Sequence, residues 1–260
     1  MMDDENSWVV IPCYNEAERL DVEAIVALIE VGIHVLLVND GSTDGTWSTL
    51  LEIKTAHPQS VTTIGLMQNV GKAESVRRGL LAALDKGATD VGYLDADFAT
   101  SAAEYLRLRA ALLGTKGHEV VLGSRWMHMG ADIQRTFLRH LVGRVFATLA
   151  SNILGMGVYD TQCGAKVLRR SHWLSAALAA PFISRWAFDV ELLGRLHFMP
   201  DGMPVERIVE VPLGAWAERT GSRIGYRDAL KLPLDLWRIH RSLRTLAGAV
   251  KQAEVGSPGD

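Results

Sequence analysis

The sequence predicts an α/β protein with a mostly parallel central sheet flanked by helices. Three observations predict it. Five short β-branched or apolar runs alternate with helical patterns along the first half. Each run ends in a polar, Gly- or Asp-rich segment, and open α/β sheets bind ligands beyond the carboxyl ends of their strands. The chain has 260 residues, 48% hydrophobic and 22% charged, which is enough for a sizeable core.

SWVVI (7–11) reads as the first strand. PCYNEAE (12–18) follows, with Pro12 suited to a strand exit because it lacks a donor. Asn15 is expected to cap a helix beginning near Ala17, and AERLDVEAIVALIEV carries that helix. IHVLLV (33–38) is the second strand and NDGSTDGT (39–46) its tip. Asp40 and Gly41 would turn the chain there, and Ser42 or Thr43 would cap the helix TWSTLLEIKTA. A strand–helix turn needs nothing more. Beside PCYNEAE, however, the two tips also suit a nucleotide-base pocket, with Asp40 accepting from a ring N–H and Tyr14 walling the base and ribose.

VTTIGL (61–66) is the third strand, and QNVGK leads into the helix KAESVRRGLLAALDKG. DVGYL (90–94) is the fourth strand and ends in DADFAT. In extended chain, residues two apart share a face, so Asp95 and Asp97 converge. Like charges that close repel unless a cation sits between them or one takes a proton. Magnesium and manganese accept carboxylate oxygens, commonly one or two together with substrate phosphates. Two solvated aspartates at a strand end are the plainer alternative, since a bare DxD is frequent by chance. SAAEYLRLRAALLG is the next helix, and EVVLG (119–123) the fifth strand, followed by GSR.

The second half is less regular. A helical stretch over 135–154 precedes DTQCGAKVLRR, helices near 171–178 and 187–197, the short strand ERIVEVPL and a helix over 226–247 interrupted by Pro233. The ending QAEVGSPGD reads as a flexible tail, 251–260, on a single domain spanning 1–250. Bulk properties exclude some classes. A net charge of −3 and a pI near 6.2 argue against general nucleic-acid binding. Cys13 and Cys163 are too few for a disulfide framework and read as reduced thiols. The start MMDDENS is not a signal peptide, and no run of 18 apolar residues predicts a membrane span. His172, His197 and His240 show no metal spacing.

The ordered set PCYNEAE, VNDGSTDGT, NVGKAESVRRG, YLDADFAT, GSR, DTQCGAKVLRR, FDVELL and ERTGSR resembles the family 2 glycosyltransferases with a GT-A, Rossmann-like nucleotide-diphospho-sugar transferase fold. The likeness covers about residues 7 to 240. It is strongest to the dolichyl-phosphate glucosyltransferase branch, with the dolichyl-phosphate mannose synthases next. DTQCGAK and FDVELL carry the branch; DGS and DxD are shared widely. The resemblance implies a nucleotide-sugar half over about 7–125, an acceptor half over about 126–247, and inversion at the anomeric carbon. It puts Pro12, Tyr14, Glu16 and Asp40 at nucleotide-binding positions and Lys72 in a loop near the nucleotide. It puts Asp95 and Asp97 on Mg²⁺ or Mn²⁺ and the donor diphosphate, and Asp160 at a further acidic active-site position. Two residues depart from the family pattern. Ala73 stands where GKG is usual, and Phe98 follows DAD where glycine is usual, near the donor sugar.

The expected activity is metal-dependent, inverting transfer of a sugar, glucose from UDP-glucose first, to a polyprenyl or dolichyl phosphate at a cytoplasmic membrane face. A phosphate monoester has a second pKa of about 6 and arrives largely as a dianion, needing cations rather than a base. Arg125, Arg135, Arg139, Arg144 and Arg223 are candidates, since guanidinium matches phosphate bidentately. A hydroxyl acceptor needs a base. Asp189 in FDVELL is then the candidate, unless Asp189 and Glu191 simply pair with Arg185 or Arg195. GDP-mannose is the rival donor, and a silent nucleotide-sugar-binding protein the rival class. Arg227, Lys231, Arg238, Arg241 and Arg244 fall largely on one helical face among Trp and Leu. Such a helix reads as membrane-surface binding or as a solvated face over a core. Membrane contact would then be peripheral or supplied by a membrane-anchored partner protein. Trp126, Trp186 and Trp216 flank three motifs as core or channel-wall candidates.

Overall fold

The computed structural model describes residues 6–134, 137–217 and 226–255. The first half alternates as expected: β1 (Ser7–Cys13), α1 (Val22–Glu30), β2 (His34–Asn39), α2 (Thr46–Ala56), β3 (Val61–Gly65), α3 (Lys72–Asp85), β4 (Asp90–Leu94), α4 (Ala102–Leu113) and β5 (Val120–Ser124). Then come β6 (Asp132–Gln134), α5 (Phe137–Leu154), β7 (Ala165–Arg169), α6 (His172–Leu178), α7 (Phe188–Phe198), β8 (Ile208–Pro212), β9 (Ala215–Ala217) and α8 (Tyr226–Val255).

Among the described residues seven strands form one sheet in the order β3-β2-β1-β4-β7-β5-β8. All its neighbouring pairs are parallel except those of β7, which runs antiparallel to both β4 and β5. β6 and β9 pair separately. Strand alternation divides the core. Val9, Ile11, Val35 and Leu37 face α1, α2 and α4. Val10, Leu36 and Val38 face the other way, under α3 and the helices of the second half.

The antiparallel β7 matters most for the site. Its first residue, Ala165, pairs with the last residue of β4, Leu94. The segment before β7, DTQCG, therefore lands beside the segment after β4, DAD. The sequence reading assigned no strand to AKVLR.

Several local expectations are corrected. Pro12 lies inside β1, opposite Val38, rather than after it. It is tolerated because pairing with β4 has already stopped at Val10. The first helix starts at Val22, not near Ala17. Glu16 O closes a turn with the amides of Arg19 and Leu20, and the Asp21 side chain accepts from Ala24 N at 2.9 Å as the cap. Asn15 instead has φ +51° and accepts from Thr43 N at 2.8 Å, fastening the first tip to the second. α2 is capped by neither Ser42 nor Thr43; Asp44 accepts from Thr46 N at 3.0 Å. Pro233 does not interrupt α8, which runs unbroken through it. Leu236, Ile239 and Leu243 downstream are buried in the core, and α8 packs on α7, so tertiary packing holds the helix past the missing N–H.

Candidate active site

The five polar tips do gather at one edge: hydrogen bonds tie the first three together, an ion pair joins the fourth to the third, and GSR meets DTQCG beside them. Asp40 N donates to Cys13 O at 2.8 Å, and Glu16 N to Thr46 Oγ1 at 2.7 Å. Asp40 is buried, and its carboxylate accepts from Val70 N at 2.8 Å, Gly71 N at 2.9 Å and Asn69 Nδ2 at 3.1 Å. Burial raises its pKa, and those hydrogen bonds only partly oppose the rise. Asp40 thus holds the QNVGK loop in place. Gly71 makes the turn, with φ +99°, and a Cβ there would meet Arg185 Nε at 2.2 Å. Arg185 donates to Asn69 Oδ1, so the segment before α7 closes over the same loop. Glu16 is buried and paired with Arg19 at 2.8 Å; Pro12 and Tyr14 are half-buried beside it.

DAD is a turn and not extended chain. β4 ends at Leu94, Phe98 N donates to Asp95 O at 3.0 Å, and Phe98 has φ +47°. Asp97 accepts from Ala99 N at 3.0 Å. Burial and then the nearby Asp95 charge raise the Asp97 pKa. Among the described residues the cation at this turn is Lys72, whose Nζ lies 2.5 Å from Asp95 Oδ1. Burial works against the Lys72 charge, but attraction to Asp95, Asp189 and Asp97 lifts its pKa above the usual lysine value. Two carboxylates on one turn, with unbalanced negative charge between them, fit a hard divalent cation that takes its other ligands from water and substrate phosphates.

The family departures have local accounts. Ala73 sits in the first turn of α3, buried and with ordinary negative φ, so no glycine is needed there. The Phe98 ring is buried in the core cluster with Leu94, Tyr105 and Cys163 and does not fill an open sugar pocket.

DTQCG supplies the second wall. Gly164 O accepts from Asp95 N at 3.1 Å, and a Cβ at Gly164 would stand 2.0 Å from Asp95 Oδ2. Only glycine lets that carboxylate lie against the backbone. Asp160 and Arg125 are paired with each other, at 2.6 Å from Nε to Oδ2 and 2.8 Å from Nη2 to Oδ1. Burial opposes the Arg125 charge, but Asp160 outweighs it and raises the pKa further. Arg125 also lies over Trp216, at 5.3 Å. Arg144 stacks on Tyr159 at 4.1 Å, and Tyr159 on the exposed Trp126 at 5.6 Å. Trp186 is half-buried. The side chain of Arg139, and all of Arg135 and Arg223, lie outside the described residues.

Asp189 is sealed beneath this site. It is 3% exposed, accepts from the Tyr93 hydroxyl, and pairs with Lys166 Nζ at 2.7 Å. Lys166 is fully buried and also donates to Cys163 O at 2.7 Å. Burial and the Asp189 charge push the Tyr93 pKa well above normal. Glu191 pairs with Arg195 at 2.6 Å, the structural alternative raised from the sequence.

The sequence reading missed Lys166, Tyr93 and Glu210, and offered Arg185 as a partner for Asp189 or Glu191 where it bonds Asn69. Glu210 in β8 accepts from Tyr159 N at 2.7 Å and Asp160 N at 2.6 Å, and so holds Asp160 in place. Their signal was a charge inside an apolar run: Lys166 in AKVLR and Glu210 in IVEVP.

Comparison with known proteins agrees with this arrangement. Residues 8–173 match the model of glycosyl transferase family 2. A Drosophila melanogaster dolichyl-phosphate beta-glucosyltransferase is 30% identical over 265 residues, 95% of this chain and 77% of that protein. A polyprenol monophosphomannose synthase of Mycolicibacterium smegmatis is 28% identical over 257 residues, 95% and 92% of the two chains. A Pyrobaculum calidifontis mannosyltransferase, solved with GDP-Man and Mn²⁺, shares the fold with a TM-score of 0.53, 20% identity and coverage of 98% of this chain and 66% of that one. The sheet with its one inserted antiparallel strand is therefore the GT-A sheet, and the chain is a glycosyltransferase that belongs to glycosyl transferase family 2.

Proposed function

We propose that this enzyme transfers a sugar, glucose from UDP-glucose in the first instance, to a polyprenyl or dolichyl phosphate, with inversion at the anomeric carbon. The observation that carries the acceptor class is the sealing of Asp189. A hydroxyl acceptor needs a base with access to its proton, and Asp189 is buried against Tyr93 and Lys166. A phosphate monoester needs none, because it arrives as the nucleophilic anion. The curated relatives named for dolichyl-phosphate and polyprenol transfer support the same choice along nearly the full chain.

In this reading Pro12, Tyr14 and Glu16 border the nucleotide, and Asp40 shapes its pocket by pinning residues 69–71. Asp95 and Asp97 would hold Mg²⁺ or Mn²⁺, which when bound stabilises charge on the departing nucleoside diphosphate. Lys72 adds a positive charge on the same side. Arg125, oriented by Asp160, and Arg144, stacked on Tyr159, are the described guanidinium groups offered to the acceptor phosphate.

The test is calorimetric titration with UDP-glucose and GDP-mannose, in Mn²⁺ and in EDTA, followed by transfer assays on a polyprenyl phosphate and on the free polyprenol. The expected result is metal-dependent UDP-glucose binding, weakened in Asp97→Ala, and transfer to the phosphate alone. A preference for GDP-mannose would change the sugar and keep the acceptor. Transfer to the alcohol would overturn the acceptor assignment.

A further inference from the structure

The two oxygens of Asp95 have different surroundings. Oδ2 is turned onto the Gly164 backbone, where even a methyl group would stand 2.0 Å from it. Oδ1 is the oxygen in contact with Lys72 Nζ, at 2.5 Å. On the neighbouring carboxylate, Asp97 Oδ1 is occupied by Ala99 N. The lysine therefore sits on the Asp95 oxygen farther from the wall, 3.0 Å from the same methyl position. Lys72 is partly open to solvent there. Its side chain is 24% exposed at the first residue of α3, and its ammonium lies 6.0 Å from the Phe188 ring centroid, beside Asp189, the next residue.

We infer that Lys72 is a resident counter-ion that competes with the divalent cation for Asp95, so that metal and donor bind cooperatively. The inference rests on the proposed reading of Asp95 and Asp97 as metal ligands. Like charges at contact distance repel strongly where the dielectric is low. An ammonium and a divalent cation share this turn only when a further anion enters. The donor diphosphate is that anion: it ligates the metal and offers Lys72 a second partner. Each ligand then raises the affinity of the other by the same factor. Without donor, Lys72 offsets part of the turn's negative charge and keeps bare metal binding weak.

The test titrates Mn²⁺ alone, reading the free ion by its electron paramagnetic resonance signal, against wild type, Lys72→Met and Lys72→Arg. Removing the competing charge is expected to tighten Mn²⁺ binding without donor by roughly tenfold or more in Lys72→Met, with Lys72→Arg close to wild type. Added UDP should tighten Mn²⁺ binding in wild type and much less in Lys72→Met. Unchanged or weaker Mn²⁺ binding in Lys72→Met overturns the inference, since a lysine that only touches the nucleotide leaves bare metal affinity alone. Lys72→Gln, with melting followed by circular dichroism, replaces any Lys72→Met protein that fails to fold. Asp97→Asn in the Lys72→Met background separates the two claims. Loss of the tight site supports the ligand assignment. A tight site that persists places the metal elsewhere and overturns the assignment itself.

Discussion

At Asp97 the proposed metal-ligand role is set against stability. Burial and the Asp95 charge both favour the protonated carboxyl. The folded state therefore keeps that proton to a higher pH than the unfolded chain, and stability falls as pH rises from the ordinary aspartate range through the folded pKa. Asp97→Asn removes this loss and still accepts from Ala99 N. Its melting temperature at pH 7 should exceed wild type by about 2–4 °C, the shift expected for ~1 kcal/mol in a chain of this size. The gap should close as pH drops below the ordinary aspartate pKa. A lower melting temperature at pH 7 would mean the charge stabilises the fold. At this scale the placement of the acidic residues was readable. Asp40, Asp95 and Asp97 lie at strand tips, and Asp160 lies in DTQCG beside the last of them. Partnership was readable for neighbours on one helix, Glu191 and Arg195, and not across the fold. Asp160 and Arg125 were assigned to different tasks and are bonded to each other. Phe98 was expected beside the sugar; its backbone takes positive φ and its ring is buried in the core cluster.

Among the elements, the six parallel strands, β8 included, and most of the helices were legible in the sequence. β7 was not, and the reason is physical. AKVLR is short and carries a lysine at its second position, which reads as solvated surface. That lysine is fully buried because α7 delivers Asp189 to it across the sheet face. Two charged residues, 23 positions apart, disguise a central strand and a buried helix start. Breaking such a pair from one side leaves an uncompensated charge, which typically costs about 3–5 kcal/mol. Lys166→Met and Asp189→Asn should each lower stability by roughly that amount, and the double variant by much less than their sum. Urea unfolding of the four proteins measures this. Additive losses would show that the two side chains act independently. The double variant also bears on the acceptor. If Asp189 is a brace, a well-folded double variant keeps transfer to lipid phosphate; if it is a base, the variant is inactive however well it folds.

For the molecule as a whole, a lipid-phosphate acceptor implies a way to reach a bilayer. No helix among the described residues is long and apolar enough to cross one. Two helices present faces suited to lying on one. α5 exposes Leu141, Val145 and Leu149, spaced one turn apart. α8 exposes Leu234 and Trp237, with Arg238, Arg241 and Arg244 on the same side and Arg241 over the Trp237 ring at 5.8 Å. Both helices pack on α7, so both faces belong to the half of the molecule that holds Arg125 and Arg144. The net charge of −3 opposes attraction of the whole protein to an anionic surface. Attraction must come from this local patch, where each arginine near such a surface contributes about 1 kcal/mol and fades within a Debye length. Sedimentation with vesicles should show binding to phosphatidylserine-containing bilayers, weaker binding to neutral ones, and loss at high salt. Arg241→Glu with Arg244→Glu should reduce vesicle binding by more than about tenfold, since two charges are reversed. Trp237→Ala should reduce it less and without changing its salt dependence, because its contribution is apolar burial. Turnover of a water-soluble, short-chain polyprenyl phosphate should survive all three substitutions, because the bilayer then delivers nothing. Vesicle binding that ignores both arginines would move the membrane contact off α8 and leave α5 as the face that carries it.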